Sequence, residues 1–218
     1  MKKLILFTII FVIGCEDSNK HNENHNSNLL FVSSEGTYGN GDGSISVFYD
    51  NEMIQTVEEV GDVVQSLIVN NDHLFVVINN SHKIKRYTIT ESGLNLPGID
   101  IETSNSSPRE MVIVDDKLYF TNWNSRDVKV LDLVTYSILS AITLDGVPED
   151  IVSDGDFLWV SIPMLELYDG NNGSSVLKID IESESLVSTY EVGRGPEHML
   201  IENCLLYTSD AADDNAGV

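Results

Sequence analysis

Between residues 29 and 203, short apolar stretches alternate with polar turns, and the pattern repeats. Four segments align: Val64 to Val69, Pro108 to Ile113, Pro148 to Ser153 and Pro196 to Ile201. Their first residues lie 44, 40 and 48 positions apart. After the first three comes a polar turn (Asn70-Asn71-Asp72, Asp115-Asp116, Asp154-Gly155-Asp156), then an apolar run: Leu74 to Asn79, Leu118 to Asn122 and Phe157 to Ser161. A third stretch alternates as a half-buried strand should: Lys83 to Tyr87, Asp127 to Asp132 and Ser175 to Asp180. A fourth closes each unit: Ile99 to Ile101, Ile138 to Leu144 and Leu186 to Val192. Upstream, Leu29 to Ser33, Ser44 to Tyr49 and Met53 to Val60 read as the second to fourth strands of an incomplete unit, which makes sixteen strands predicted in all.

Four short antiparallel strands in about 44 residues is the period of a β-propeller blade. The fold class predicted is all-β, with about four blades present. A blade cannot bury both of its faces alone, so neighbours must stack around an axis. The face of the last full blade, carrying Leu158, Val160, Leu177 and Ile179, is expected to lack a neighbour.

Composition narrows the function. The chain has 218 residues, 42% of them hydrophobic, enough for one domain with a sizeable core. Twelve Lys and Arg against 35 Asp and Glu give a formal charge of −23. Such a surface repels phosphate backbones and excludes sequence-independent nucleic-acid binding. Two cysteines exclude a disulfide scaffold and a Cys-rich zinc site. No apolar run reaches the roughly 20 residues of a spanning helix.

The ends of the chain read differently from its middle. Met1-Lys2-Lys3 is basic, and Leu4 to Ile13 is uncharged, right for a signal h-region. It runs into Val12-Ile13-Gly14-Cys15, which resembles a bacterial lipobox. That resemblance implies a signal peptide at 1–15, lipidation of Cys15, and membrane attachment through the lipid alone. Glu16-Asp17 resembles the surface-export signal of Bacteroidota lipoproteins. The expected location is the outer membrane, at the cell surface, with the periplasmic face as the alternative. Residues 16–28 form a polar tether. Its His21 and His25 read as solvated side chains rather than metal ligands. Cys204 to Asp213 resembles a translated transposase sequencing adapter. The expectation is therefore a non-native tail at 204–218 on a truncated propeller at 29–203.

The repeats also resemble YncE-like, YVTN-repeat propellers and, more closely, Bacteroidota surface-layer-like lipoproteins of the DUF5074 type. Glu35-Gly36-Thr37-Tyr38-Gly39 followed by Asn40-Gly41-Asp42-Gly43-Ser44-Ile45-Ser46 looks like that family's opening, with Ser34 in place of the usual Asn. Gly61-Asp62-Val63-Val64-Gln65-Ser66 looks like its next motif, with Val64 in place of Pro. The resemblance covers about 29 to 203 and implies seven blades. It includes the cobalamin-capturing lipoproteins of the BtuG type, which implies a small-molecule ligand handed to a TonB-dependent transporter.

Blade topology predicts where a ligand would sit. Loops entering first strands and loops leaving second strands share one face. The entering loops bring Arg109, Glu110, Glu149, Asp150, Arg194, Glu197 and His198. The leaving loops bring Glu35, Tyr38, Asn40, Asp42, Asn80, His82, Asn122, Trp123, Arg126, Tyr168 and Asp169. The aromatic rings suit stacking on a planar ligand or a sugar, and the arginines suit carboxylates or phosphates. From these, Tyr38, His82, Arg109, Glu110, Trp123, Arg126, Glu149, Asp150, Tyr168, Arg194, Glu197 and His198 form the predicted ligand-binding set.

Signatures of chemistry are sparse. No Gly-x-Ser-x-Gly, His-Glu-x-x-His or phosphate loop occurs. Asn40 to Ser44 and Asp169 to Gly173 are oxygen-rich and could hold Ca²⁺, but neither has the spacing of a calcium loop, so tight turns are the better reading. No cofactor is expected. Two alternatives to ligand capture stay open. One is a lyase- or lactonase-type enzyme, using Glu197 and His198 as an acid/base pair or Glu35, Asn122 and Asp150 as metal ligands. The other is a protein-binding or adhesion scaffold.

Overall fold

The computed structural model describes residues 29–202 and 205–210. The lipobox, Cys15, the tether and Cys204 lie outside the described residues. Among the described residues all regular structure is β, in five antiparallel sheets. The first holds β1 (Leu29–Ser34), β2 (Gly43–Tyr49) and β3 (Glu52–Gly61). Three four-stranded blades follow. The second sheet is β4 (Val64–Asn70), β5 (His73–Ile78), β6 (Lys83–Thr90) and β7 (Gly93–Glu102). The third is β8 (Pro108–Val114), β9 (Lys117–Asn122), β10 (Asp127–Asp132) and β11 (Ile138–Thr143). The fourth is β12 (Ile151–Ser153), β13 (Phe157–Ile162), β14 (Ser175–Asp180) and β15 (Ser185–Glu191). The fifth pairs β16 (Pro196–Glu202) with β17 (Leu205–Asp210). Seventeen strands thus stand where sixteen were predicted. The extra one is the stretch Leu205 to Asp210, whose alternation with Leu206 and Tyr207 lets it pair with Ile201 and Leu200.

The first strands β4, β8, β12 and β16 lie side by side in sequence order, as inner strands of successive blades do. β1 packs on β4 just as β5 packs on β8 and β13 on β16, so β1 occupies the second-strand position of its sheet. Second strands are sandwiched between blades, which is why they are apolar on both faces. In β5, Leu74, Val76 and Ile78 pack toward the first sheet, while Phe75 and Val77 pack toward the third. In β9, Leu118 and Phe120 face the second sheet and Tyr119 faces the fourth. The core is therefore three inter-blade layers rather than one centre.

One expectation is overturned. Leu158, Val160, Leu177 and Ile179 do have a neighbour: they pack against Tyr119, Val128, Val130 and Ile142 of the third sheet, and three of the four are fully buried. Alternation along a strand shows which residues share a face. It does not show which neighbouring blade that face meets, because the turn of the ring decides this. The other side of β13 presents Phe157 and Trp159 beneath Lys178, whose Nζ lies 3.7 and 5.0 Å from the two ring centroids.

The entering loops are tight. Cβ atoms on Gly61 and Gly146 would lie 2.6 and 2.4 Å from Cγ2 of Ile78 and Ile162, and Gly146 has φ +125°. Only glycine lets the backbone pass so close over the end of the second strand. The residues that follow, Gln65 and Glu149, are set at the mouth of the inner strands as a result.

Candidate functional site

The site begins with the repeat itself. Gln65, Arg109 and Glu149 occupy equivalent positions at the start of successive inner strands and join hands across the blades. Arg109 Nη1 donates to Gln65 Oε1 at 2.5 Å, and its Nη2 donates to Glu149 Oε1 at 2.5 Å. Arg109 Nε also donates to Glu149 Oε1, at 3.1 Å. Trp123 Nε1 donates to Glu149 Oε2 at 2.8 Å, and the Arg109 guanidinium lies 4.0 Å from the Trp123 ring centroid. Tyr168 meets the Trp123 ring edge-on with centroids 6.4 Å apart, although the tyrosine is 84% exposed. An arginine stacked on an indole and forked onto a buried carboxylate is pre-organised, since each partner fixes the others' rotamers.

Hydroxyl groups one layer below hold these residues in place. Thr121 Oγ1 accepts from Glu110 N at 3.1 Å and donates to Glu149 O at 2.7 Å. Ser161 repeats this one blade on, accepting from Asp150 N at 3.0 Å and donating to Glu197 O at 2.9 Å. In the second sheet that position is Val77, and Ser66 supplies the bond instead, donating to Arg109 O at 2.8 Å. Each hydroxyl stitches a second-strand or inner-strand position to the next blade's entering residue.

Two further acids sit in the cluster. Glu110 accepts from Gln65 Nε2 at 3.4 Å. Burial pushes its carboxyl up to about 7, and the negative charge of Asp150 adds to the effect. Burial also pushes Asp150 up, against backbone donors that hold it down: Met199 N at 2.6 Å and Ile151 N at 2.7 Å. Desolvated acids outnumber the single arginine here, so the site favours ligands that donate hydrogen bonds over anions.

The predicted set divides. Arg109, Glu110, Trp123, Glu149, Asp150 and Tyr168 come together. His198 is exposed and close enough to lower the Asp150 carboxyl's proton affinity, while Glu197 contributes its carbonyl to Ser161. Arg126 forks onto Glu166 at the exposed rim. Arg194 braces the long loop after β13, donating to Asn171 O at 2.9 Å and Gly170 O at 2.8 Å. His82 is a strut, its Nδ1 receiving Ser107 N at 3.1 Å. Tyr38 stands 77% exposed on the loop after β1.

The alternatives receive less from the geometry. Asn122 is fully buried and spent within the fold, accepting from Ser106 Oγ at 2.5 Å and donating to Phe120 O at 3.1 Å. Among the described residues no three His, Cys, Asp or Glu side chains converge to hold a metal ion. In the two oxygen-rich turns, Asp42 Oδ1 accepts from Thr37 N at 2.6 Å, and Asp169 Oδ2 from Glu166 N at 2.9 Å. Sequence reasoning missed Gln65, Thr121 and Ser161. The repeat alignment held the signal for Gln65, which shares its column with Arg109 and Glu149. Glu166, inside an irregular loop, had none.

No protein-family model matches the chain, and no curated protein sequence matches it with significance. Solved structures do match. A Lactobacillus plantarum protein has TM-score 0.64 at 16% identity, covering 84% of this chain and 62% of its own. A Bacteroides uniformis protein provisionally assigned as a 6-phosphogluconolactonase has TM-score 0.63 at 14% identity, covering 85% and 61%. The computationally designed protein Ika8 has TM-score 0.64 at 12% identity, covering 83% and 52%. The chain thus spans between half and two thirds of the length of these proteins. At such identities the likeness concerns fold alone: this is a β-propeller chain built from four-stranded antiparallel blades.

Proposed function

We propose that the chain is a non-enzymatic, lipid-anchored outer-membrane propeller that captures a small molecule on its Arg109–Trp123 face for delivery to a TonB-dependent transporter. The observation that carries the reading is convergence. Two successive inner strands and one leaving loop bring an arginine, an indole and three acids to one place, and a third inner strand adds Gln65. The Trp123 and Tyr168 rings suit a flat ligand, and Glu110 and Asp150 suit its amide or hydroxyl donors. A cobalamin-like molecule, with its ring of amide side chains, has both features, and the resemblance to capture lipoproteins of that type supports testing it first. The Val12-Ile13-Gly14-Cys15 motif supports the anchor.

Calorimetry with cyanocobalamin tests the ligand. Saturable one-to-one binding that Trp123→Ala abolishes is expected. Heats that are absent, or unchanged by Trp123→Ala, overturn cobalamin as the ligand of this face. Fractionation of Cys15→Ala tests the anchor, and equal membrane retention of the variant overturns it.

A second reading has one observation in its favour. A carboxyl held near 7, as Glu110 is, suits a general acid or base at neutral pH, and one neighbour in fold is provisionally assigned as a lactonase. A phosphorylated substrate would meet Glu110, Glu149 and Asp150 with only Arg109, already paired, to oppose them. An uncharged lactone fits better. Hydrolysis of glucono-δ-lactone that Glu110→Gln abolishes would establish this reading in place of capture.

A further inference from the structure

The two oxygen-rich turns share a feature that ligand capture does not use. Each contains asparagine followed by glycine: Asn40-Gly41 in the loop after β1 and Asn172-Gly173 in the loop after β13. No other Asn-Gly pair occurs in the chain. Such a pair is open to attack of the backbone on the side-chain amide. Glycine has no Cβ to shield its amide nitrogen, and its dihedrals are free to reach the geometry of attack. The fold treats the two pairs in opposite ways.

Asn172-Gly173 is locked at the atoms that would have to react. Gly173 N, the nucleophile, donates to Pro163 O at 2.8 Å. Asn172 Oδ1 accepts from Leu165 N at 3.1 Å, which fixes the side chain across the loop. Gly173 O receives Gly195 N at 2.8 Å, and Arg194 holds the carbonyls just before the pair. A Cβ on Gly173 would lie 2.3 Å from Ile162 O, so the backbone has no room to turn.

Asn40-Gly41 is open. Asn40 is exposed, and among the described residues no acceptor meets Gly41 N. A Cβ on Gly41 would have nothing within 4 Å. The Asn40 side chain hydrogen-bonds the Asp42 carboxyl two residues on, a reach that carries its amide carbon forward along the backbone toward Gly41 N. The chain before the pair is held: Gly39 N donates to Asp62 Oδ1 at 2.9 Å, and Asn40 N to Thr37 O at 3.0 Å.

We infer that Asn40 is a site of spontaneous deamidation in the folded chain, and that the fold protects Asn172. Gly41 N loses its proton to water and bonds to the Asn40 side-chain carbonyl carbon. The bond from that carbon to Nδ2 breaks, and the amide group leaves with a proton as ammonia. Water then opens the succinimide ring at either carbonyl, giving aspartate or isoaspartate, with no oxidant or reductant involved. The product sets a second carboxylate beside Asp42. As isoaspartate it also lengthens the main chain by one carbon at the end of the turn that presents Tyr38.

Peptide mapping by mass spectrometry, after prolonged warm incubation of the full chain in mildly alkaline buffer, tests the inference. Amide-to-acid conversion at Asn40 is expected, with isoaspartate confirmed by isoaspartyl methyltransferase labelling. Asn172 should convert roughly tenfold more slowly or less, because its attack needs the loop to open first. In denaturant the two sites should convert at similar rates, since the fold alone separates them. Asn40→Gln keeps the amide but demands a larger ring, and should abolish the new acidic species. Asn40 left intact while the unfolded chain converts, or equal conversion of both sites in the folded chain, would overturn the inference. No step involves a bound ligand, so the test is independent of the Arg109–Trp123 reading and the two fail separately.

Discussion

Two arginine–glutamate pairs tie the third sheet to the fourth, each across 40 residues, and they differ in nearly everything else. Arg109 and Glu149 are 16% and 8% exposed, and the pair is roofed by an indole and floored by the Thr121 bond to the Glu149 carbonyl. Arg126 and Glu166 are 36% and 66% exposed, with a loop as their only setting. A forked pair in solvent gains little because water and salt compete for both ions. A buried one has already given up hydration, so each ion depends on the other. The same residue types at the same separation are therefore a determinant of the site in one place and a surface contact in the other.

The largest expected effect tests that contrast directly. Arg109→Ala leaves Glu149 buried beside Glu110 and Asp150 without a counter-ion, and should cost about 3–5 kcal/mol in chemical denaturation. Replacing both ions, Arg109→Met with Glu149→Leu, should cost less than the single change. If Arg109→Ala costs under about 1 kcal/mol, Glu149 reaches solvent and the contrast collapses.

Next comes the acid that the pair surrounds. Glu110 titrates near 7 in the folded chain against 4.5 for an ordinary glutamate. Between those values the folded state holds a proton that the unfolded state has released. Stability therefore falls as pH rises from about 4.5 to 7, by roughly 3 kcal/mol, then levels off. Asp150, also raised by burial, acts in the same direction. Glu110→Gln keeps an acceptor for Gln65 and should flatten the fall, making the variant more stable than the parent at pH 8. Melts at pH 5 and pH 8 check it, and parallel pH curves for the two proteins would refute it.

Much of this was legible beforehand, and the exceptions share a cause. The blade period and the columns holding Pro108, Pro148 and Pro196 follow from spacing, because each blade must present the same inner strand to the axis. That Arg109, Glu149 and Trp123 share a face follows from up-and-down strand direction. Contacts set by side-chain reach do not follow. Arg194 turned to the Asn171 and Gly170 carbonyls, and His82 to Ser107, because loop backbones offered them nearer partners. Thr121 and Ser161 look like ordinary β-formers within an apolar run, and only their burial next to a carbonyl gives them a role. The Leu158 face was assigned no neighbour because a period of two is silent about the ring's sense of turn.

Those hydroxyls give a smaller effect. Thr121→Val keeps the shape but leaves the Glu149 carbonyl and Glu110 N–H without their partner, at about 2 kcal/mol. The natural counterpart exists in the second sheet, where Val77 fills the position and Ser66 carries the bond. Adding a serine at the inner-strand position, Glu110→Ser in the Thr121→Val background, should recover part of the loss in a denaturation midpoint. No recovery would mean that the bond matters less than the shape of the threonine.

The smallest effect closes the contrast. Arg126→Ala should leave the melting temperature unchanged within measurement error at physiological salt, despite removing a forked contact with Glu166 and the positive charge that holds Glu166 below the usual carboxylate range. The backbone at Arg126 is what the fold uses: its carbonyl receives Leu144 N at 2.9 Å, and alanine preserves that bond. Its φ of +49° is a conformation that costs alanine as much as arginine, so the substitution is neutral there as well. What the side chain does is restrain the loop from Ile162 to Ser174, which carries Tyr168 to the edge of Trp123. The variant's signature should thus be faster amide exchange in that loop with an unaltered global midpoint. A drop in melting temperature comparable to that of Arg109→Ala would show that the loop is docked as firmly as the blades, and that exposure alone does not separate the two pairs.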